Sequence, residues 1–204
     1  MKTSGRRIAA TLLTCLFGIA TMSWGTDGFS AYTAESARRL EILRSPRPLP
    51  AAVLEDQDGR SFALQDYAGR LLAVEFIYTR CRTVCSSLGA AFRQIRDRLP
   101  ESSMGQDFAL LSISFDPLHD NPAQLRAYAA NFGADGAYWR IARVRSEAEL
   151  LPLLKAFGVV VIPDGLGGFE HNAAIHLVGR DGRLQQISDL DAVTPFVGTI
   201  RAAL

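Results

Sequence analysis

LLAVEFIYTRCRTVCSSLGAAFRQI, residues 71–95, holds a strand, a junction and a helix start, and the rest of the chain is arranged around it. Residues 71–78 are apolar except for Glu75, and the length of the run suits a strand buried on both faces. A helix follows from about residue 83 to 99. Cys81 and Cys85 sit where one becomes the other. Two thiols four apart lie on one face of a helical turn, so both sulfurs can reach one metal ion or each other. Glu75 interrupts the strand close to the cysteines. The favoured reading places it at a strand edge or facing an Arg, because unpaired acids are rarely buried; the sharper reading is a buried acid that tunes the thiols.

The pair has two chemical uses. As thiolates, Cys81 and Cys85 are soft ligands that suit Cu(I). As a dithiol they can cycle through a disulfide. A helix N-terminus lowers thiol pKa through its partial positive charge, and Arg80 and Arg82 add charge nearby, so depressed thiol pKa values are expected. The thioredoxin redox motif has two residues between its cysteines and this chain has three. That widens the site in a way a metal can use without forbidding a disulfide. A pair of inert core thiols or a structural disulfide is the bland alternative.

Outward from the pair, Asp58-Gly59 joins 53–56 to 61–64 as a hairpin. Residues 108–115 (FALLSISF) form a second buried strand. Asn121-Pro122 opens a helix with Leu125, Tyr128 and Phe132 at helical spacing, and Gly133 ends it. Ser146 and Glu149 have capping-box spacing at the start of a helix running to 157. Residues 173–178 and 184–187 flank Gly179-Arg180-Asp181-Gly182 as a second hairpin, and 193–204 form a final helix. Residues 159–169 (VVVIPDGLGGF) are Gly-rich and receive no element. The order is hairpin, strand, helix, strand, helix, helix, hairpin, helix. That pattern predicts an α/β, thioredoxin-like three-layer fold with an N-terminal β-hairpin and inserted elements, with its redox chemistry at the strand-to-helix junction.

The chain has 204 residues, is 48% hydrophobic and carries a net charge of +1, so nothing argues for nucleic acid. Lys2, Arg6 and Arg7 precede an uncharged stretch from residue 8 to 24. This reads as a signal peptide or as an N-terminal membrane anchor, with the following domain periplasmic or exported, either soluble after cleavage or anchored to the inner membrane facing outward. Cys15 belongs to this segment. The organisation expected is 1–26 signal or anchor, 27–50 linker or peripheral segment, and 51–204 the folded domain. Within the linker, 35–44 suits a short helix and Pro46, Pro48 and Pro50 favour an extended path.

A third ligand would come from His119, His171 or His176. His176 lies within a strand, and its separation from His171 points the two to opposite faces. His119 and His171 are comparable loop positions, and spacing does not choose between them.

The sequence resembles the Sco/SenC family of copper-binding, thioredoxin-fold assembly proteins from about residue 49 to the C-terminus. Four stretches carry the resemblance. They are the 53–59 hairpin, 76–85 with both cysteines, 114–122 (SFDPLHDNP) with the helix after it, and Glu170-His171 with Leu177 and Asp181-Gly182 beyond. The resemblance implies that Cys81, Cys85 and His171 are copper ligands and that Asp116 and Asp120 hold the shape of a loop. The family usually has Pro and Asp inside the cysteine loop, Pro after it and Asp before the histidine. Here those positions are Arg82, Thr83, Ser86 and Glu170. The function implied is an exported copper metallochaperone for the CuA centre of a respiratory cytochrome oxidase, acting by copper delivery, by thiol reduction of the target, or by both. Its partners would be the oxidase subunit carrying CuA and other copper or thiol–disulfide exchange proteins. The alternative is a thiol–disulfide oxidoreductase using Cys81 and Cys85 as a redox pair without metal.

Overall fold

The computed structural model describes residues 2–81 and 84–204. The chain divides into two compact units, Met1–Arg44 and Ser45–Leu204. The first holds α1 (Lys2–Gly25) and α2 (Ala34–Arg44). Within α1, Gly5–Gly25 has a mean hydropathy of 1.6 and is long and apolar enough to cross a membrane, with its side chains exposed. In α2, Glu35 pairs with Arg38 at 2.7 Å and with Arg39 at 2.8 Å, one turn away. Pairs of this spacing contribute about 0.2–0.5 kcal/mol each.

The second unit is built on an eight-stranded sheet. Its strands are β1 (Arg47–Pro48), β2 (Val53–Asp56), β3 (Ser61–Ala63), β4 (Leu71–Ile77), β5 (Phe108–Ser114), β6 (Trp139–Val144), β9 (Ile175–Val178) and β10 (Arg183–Ser188). The order across the sheet is β1-β10-β9-β4-β5-β6-β2-β3. β4, β5 and β6 run parallel, and the flanking strands are antiparallel. Between the parallel strands run α3 (Val84–Arg98) and α4 (Pro122–Phe132), followed by α5 (Glu147–Phe157), and α6 (Val193–Ala203) packs beside α3. A separate two-stranded hairpin joins β7 (Val161–Pro163) to β8 (Phe169–His171).

Every residue of β4 and β5 is buried, as expected of central strands covered on both faces. On one face Trp139 meets Phe92 of α3, with ring centroids 5.9 Å apart. On the other, Phe76 meets Phe157 of α5 at 5.1 Å. Each such side chain contributes roughly 1.5–3 kcal/mol on burial. The helix ends follow the capping chemistry read from the sequence. Asn121 accepts from the amides of Ala123 and Gln124, and Ser146 accepts from that of Glu149. Gly133 closes α4 at φ 72°, a left-handed conformation that costs glycine least.

Three elements differ from the sequence expectation. β6 received no assignment because Arg140 and Arg143 break its apolar run. Both are satisfied locally, Arg143 by Glu55 at 2.7 Å and Arg140 over the Phe62 ring at 4.6 Å, so the strand sits inside the sheet. The Gly-rich stretch contains the β7–β8 hairpin. The proline segment supplies β1, an edge strand, where a missing N–H is tolerated.

Candidate metal and thiol site

β4 ends at Ile77, and Tyr78, Thr79 and Arg80 carry the chain to Cys81. This connection is clasped to the one between β5 and α4. The buried Asp120 carboxylate accepts from the Thr79 amide at 2.9 Å, from the Thr79 hydroxyl at 2.5 Å and from the Ser114 hydroxyl at 2.5 Å. Asp116 accepts from Arg80 at 2.8 Å and lies 2.8 Å from His119 Nδ1. Burial alone would raise the Asp116 pKa, but His119 and Arg80 together hold it below the usual range. The charge of Arg80 is thus directed at Asp116. Arg82 and Thr83, two positions at which the sequence leaves the family pattern, lie outside the described residues.

Cys85 occupies the first turn of α3 and is completely buried, while Cys81 is half-buried; both are free thiols. Tyr128 donates its hydroxyl to the Cys85 carbonyl at 2.9 Å, tying α4 to the first turn of α3. The Cys85 amide donates to Cys81 Sγ at 3.3 Å. Burial, and then the neighbouring Cys81, push the Cys85 thiol well above its ordinary pKa. The expected depression fails at this residue because the cost of an ion in an apolar interior outweighs the partial charge of a helix end.

His171 arrives from the far end of the chain. Asp164 accepts from the amides of Leu166 at 2.7 Å and Gly168 at 2.9 Å, which shapes the turn between β7 and β8. Phe115 then packs on the imidazole, and Tyr78 and Phe169 pack on Phe115 in turn. The Phe115 ring lies 5.0 Å from the imidazole, and Phe169 lies 5.3 Å from Tyr78. His171 Nε2 stands 3.8 Å from Cys85 Sγ, and burial lowers its pKa toward the neutral imidazole that ligates metals. Its Nδ1 is buried with no partner among the described residues. Among the described residues no three His, Cys, Asp or Glu side chains form a ready cage for an ion. Cys85 and His171 meet, and Cys81 offers its sulfur one bond away.

The family model described as SCO1/SenC matches residues 52–197. The chain belongs to the SCO1/SenC family. It is 30% identical over 146 residues to the SCO1 protein homolog of Bacillus subtilis, covering 70% of this chain and 74% of that one. A solved structure of BsSco, a member of the Sco family of cytochrome c oxidase assembly proteins in which a disulfide switch was identified, has a TM-score of 0.68 at 24% identity. The match covers 78% of this chain and 94% of that one. Bradyrhizobium japonicum ScoI with copper bound has a TM-score of 0.64 at 22% identity, covering 77% and 99%. The thioredoxin-like α/β fold expected from the element order holds.

The other histidines of this SCO1/SenC chain stand apart from the thiols. His119 is 54% exposed and turned to Asp116. His176 is buried between Phe76 and Phe157, with Nδ1 3.2 Å from the Val74 carbonyl. Cys15 is exposed on α1. Glu75 departs from the favoured reading, since it is not at a sheet edge and faces no Arg among the described residues. It lies fully buried on the central strand, beside Ser112 of β5. The Ser112 hydroxyl donates to Glu75 Oε1 at 2.5 Å and accepts from Trp139 Nε1 at 3.0 Å, leaving Oε2 without a partner among the described residues. Burial pushes its carboxyl up to about 8, against the opposing bond from Ser112. The aromatic cluster that reaches His171 through Phe115 and the Tyr128 tie escaped the sequence reading. Tyr78 and Phe169, each shortly before a site residue, were its available signal.

Proposed function

We propose that this protein is an exported copper metallochaperone in the assembly of a respiratory cytochrome c oxidase, with copper as its cargo. Cys81, Cys85 and His171 would hold the ion. The observation that carries the reading is the contact between Cys85 Sγ and His171 Nε2 at 3.8 Å, with the Cys81 sulfur at the Cys85 amide. Two thiols and a neutral imidazole are a soft donor set that suits Cu(I). The half-buried Cys81 is the ligand a partner reaches first, which favours hand-off to the oxidase subunit carrying CuA or exchange with other copper proteins. Copper-bound ScoI of Bradyrhizobium and the assembly role of the Sco family support the assignment. The apolar α1 suits a cleaved signal or a retained anchor that places the domain outside the cytoplasm, in the periplasm of a two-membrane cell.

The full-length reduced protein should bind about one copper per chain through sulfur and nitrogen. Stoichiometry unchanged by both His171→Ala and Cys81→Ser would sink the assignment.

A second reading is favoured by the unequal exposure of the cysteines. A half-buried Cys81 open to attack and a buried Cys85 behind it suit a thiol–disulfide reductase that keeps the target's cysteines reduced. Reversible oxidation of the pair, with activity on a protein disulfide that survives His171→Ala, would separate it from copper delivery.

A further inference from the structure

His171 rides on a hairpin with few bonds of its own. β7 and β8 have three residues each, are joined by a turn containing Gly165, Gly167 and Gly168, and form a sheet apart from the main one. Two strands alone are marginally stable at best in water. Bonded rungs of the hairpin are seen at Asp164 with Gly168 (3.1 Å) and at Asn172 with Val160 (3.4 Å). Rungs alternate in an antiparallel pair, so Phe169, opposite Pro163, falls on an unbonded one. Its amide and carbonyl therefore face away from β7. The buried Tyr78 hydroxyl meets both, donating to the Phe169 carbonyl at 3.4 Å and accepting from the Phe169 amide at 3.4 Å.

The rings make a second attachment. Tyr78 meets Phe169 at 5.3 Å, and Phe115 meets Phe169 at 5.7 Å and the His171 imidazole at 5.0 Å. Phe169 and His171 are two apart on one strand and share a face, so what fixes the first aims the second. Tyr78 also belongs to the turn that carries the thiols, since its carbonyl accepts from the Cys81 amide at 3.2 Å. One residue thus ties the thiol segment to the strand that ends in the imidazole.

We propose, on the reading of Cys81, Cys85 and His171 as copper ligands, that Tyr78 is a positioning residue whose hydroxyl holds the outer edge of β8 and so presets His171 beside Cys85. Without the hydroxyl, the hairpin must be ordered when the metal binds, and that cost is set against affinity. The ring contacts survive its removal, so the effect is partial. The hydroxyl also neighbours the Cys81 thiol, and action through that sulfur is the rival role.

The test is a double-mutant cycle on the Cu(I) affinity of the reduced, full-length protein, read by competition with a chromophoric Cu(I) chelator. Tyr78→Phe keeps the ring and removes the hydroxyl. It should weaken binding by roughly 10-fold in the wild-type background, the lower end for an outer-shell partner. In the His171→Ala background the same change should have no effect beyond about twofold. Wild-type affinity in Tyr78→Phe, with His171→Ala weakened, overturns the role of Tyr78 and leaves the ligand set standing. An equal loss in both backgrounds also overturns it, and assigns the hydroxyl to Cys81 or to overall stability. Unchanged affinity in His171→Ala overturns the ligand set and the role together. Should Tyr78→Phe fail to fold, amide hydrogen exchange in the wild type decides. Protection of the Phe169 amide supports the tie, and exchange at the rate of an unbonded amide overturns it.

Discussion

Cys85 Sγ and His171 Nε2 stand 3.8 Å apart across 86 residues of sequence. The contact joins the first turn of a helix to the last residue of a hairpin strand. If both hold copper, removing the imidazole takes away the nitrogen donor while leaving two thiols. His171→Ala is therefore expected to weaken Cu(I) affinity by at least about 100-fold, beyond what is usual for losing an outer-shell partner. Competition with a chromophoric Cu(I) chelator measures it, and unchanged affinity would remove His171 from the ligand set.

Asp120 anchors the chain two residues before Cys81. Asp120→Ala leaves the Thr79 amide, the Thr79 hydroxyl and the Ser114 hydroxyl without their acceptor. Each buried unsatisfied group costs about 1–3 kcal/mol, partly relieved by relaxation, so a loss of about 3 kcal/mol is expected in urea unfolding. Copper binding should weaken with it, because Cys81 loses its fixed approach. Asp120→Asn should lose less stability.

The Asp116 clasp gives a pH dependence of defined sign. Its folded pKa is depressed, so its contribution is present above the unfolded value, 3.8, and is lost as pH falls through the folded one. Arg80 and His119 are 42% and 54% exposed, and solvent screening limits the contribution to about 1 kcal/mol or less. Asp116→Asn should be less stable than wild type at pH 6, and the difference should shrink as pH falls below 3.8, if unfolding is followed across that range.

Glu75 has the opposite sign. Its folded pKa, about 8, lies above the ordinary 4.5, so the folded state binds the proton more tightly than the unfolded one. The cost is absent below the unfolded pKa, grows as pH rises from about 4.5 and levels off above about 8. It amounts to at most about 5 kcal/mol at 1.36 kcal/mol per unit. Thermal unfolding should show Glu75→Gln gaining on wild type between pH 5 and pH 8. A constant difference across that range would contradict the burial-driven shift.

Much of the architecture was legible because its signals are local. The 71–78 run, the Asn121 and Ser146 caps, Gly133 and the Asp58-Gly59 turn each depend on residues within a turn or two of one another. β6 escaped because its two arginines look like surface until Glu55 and the Phe62 ring, distant in sequence, are beside them. The β7–β8 hairpin escaped because its strands are three residues each, too short for a periodic signal.

By itself the sequence determined the α/β succession and the junction that carries Cys81 and Cys85, and its likeness to a family singled out His171 as their candidate partner. Only the tertiary structure decided the chemical setting of those residues. It buries Cys85 while leaving Cys81 accessible, turns Arg80 onto Asp116, brings His171 to Cys85 and encloses Glu75 beside Ser112. The physical reason is that a thiol or carboxyl takes its protonation and reactivity from solvent exclusion and from neighbours on other strands and helices. Those are set by the order of strands across the sheet and the packing of α3 and α4 over it, not by the residues adjacent in the chain.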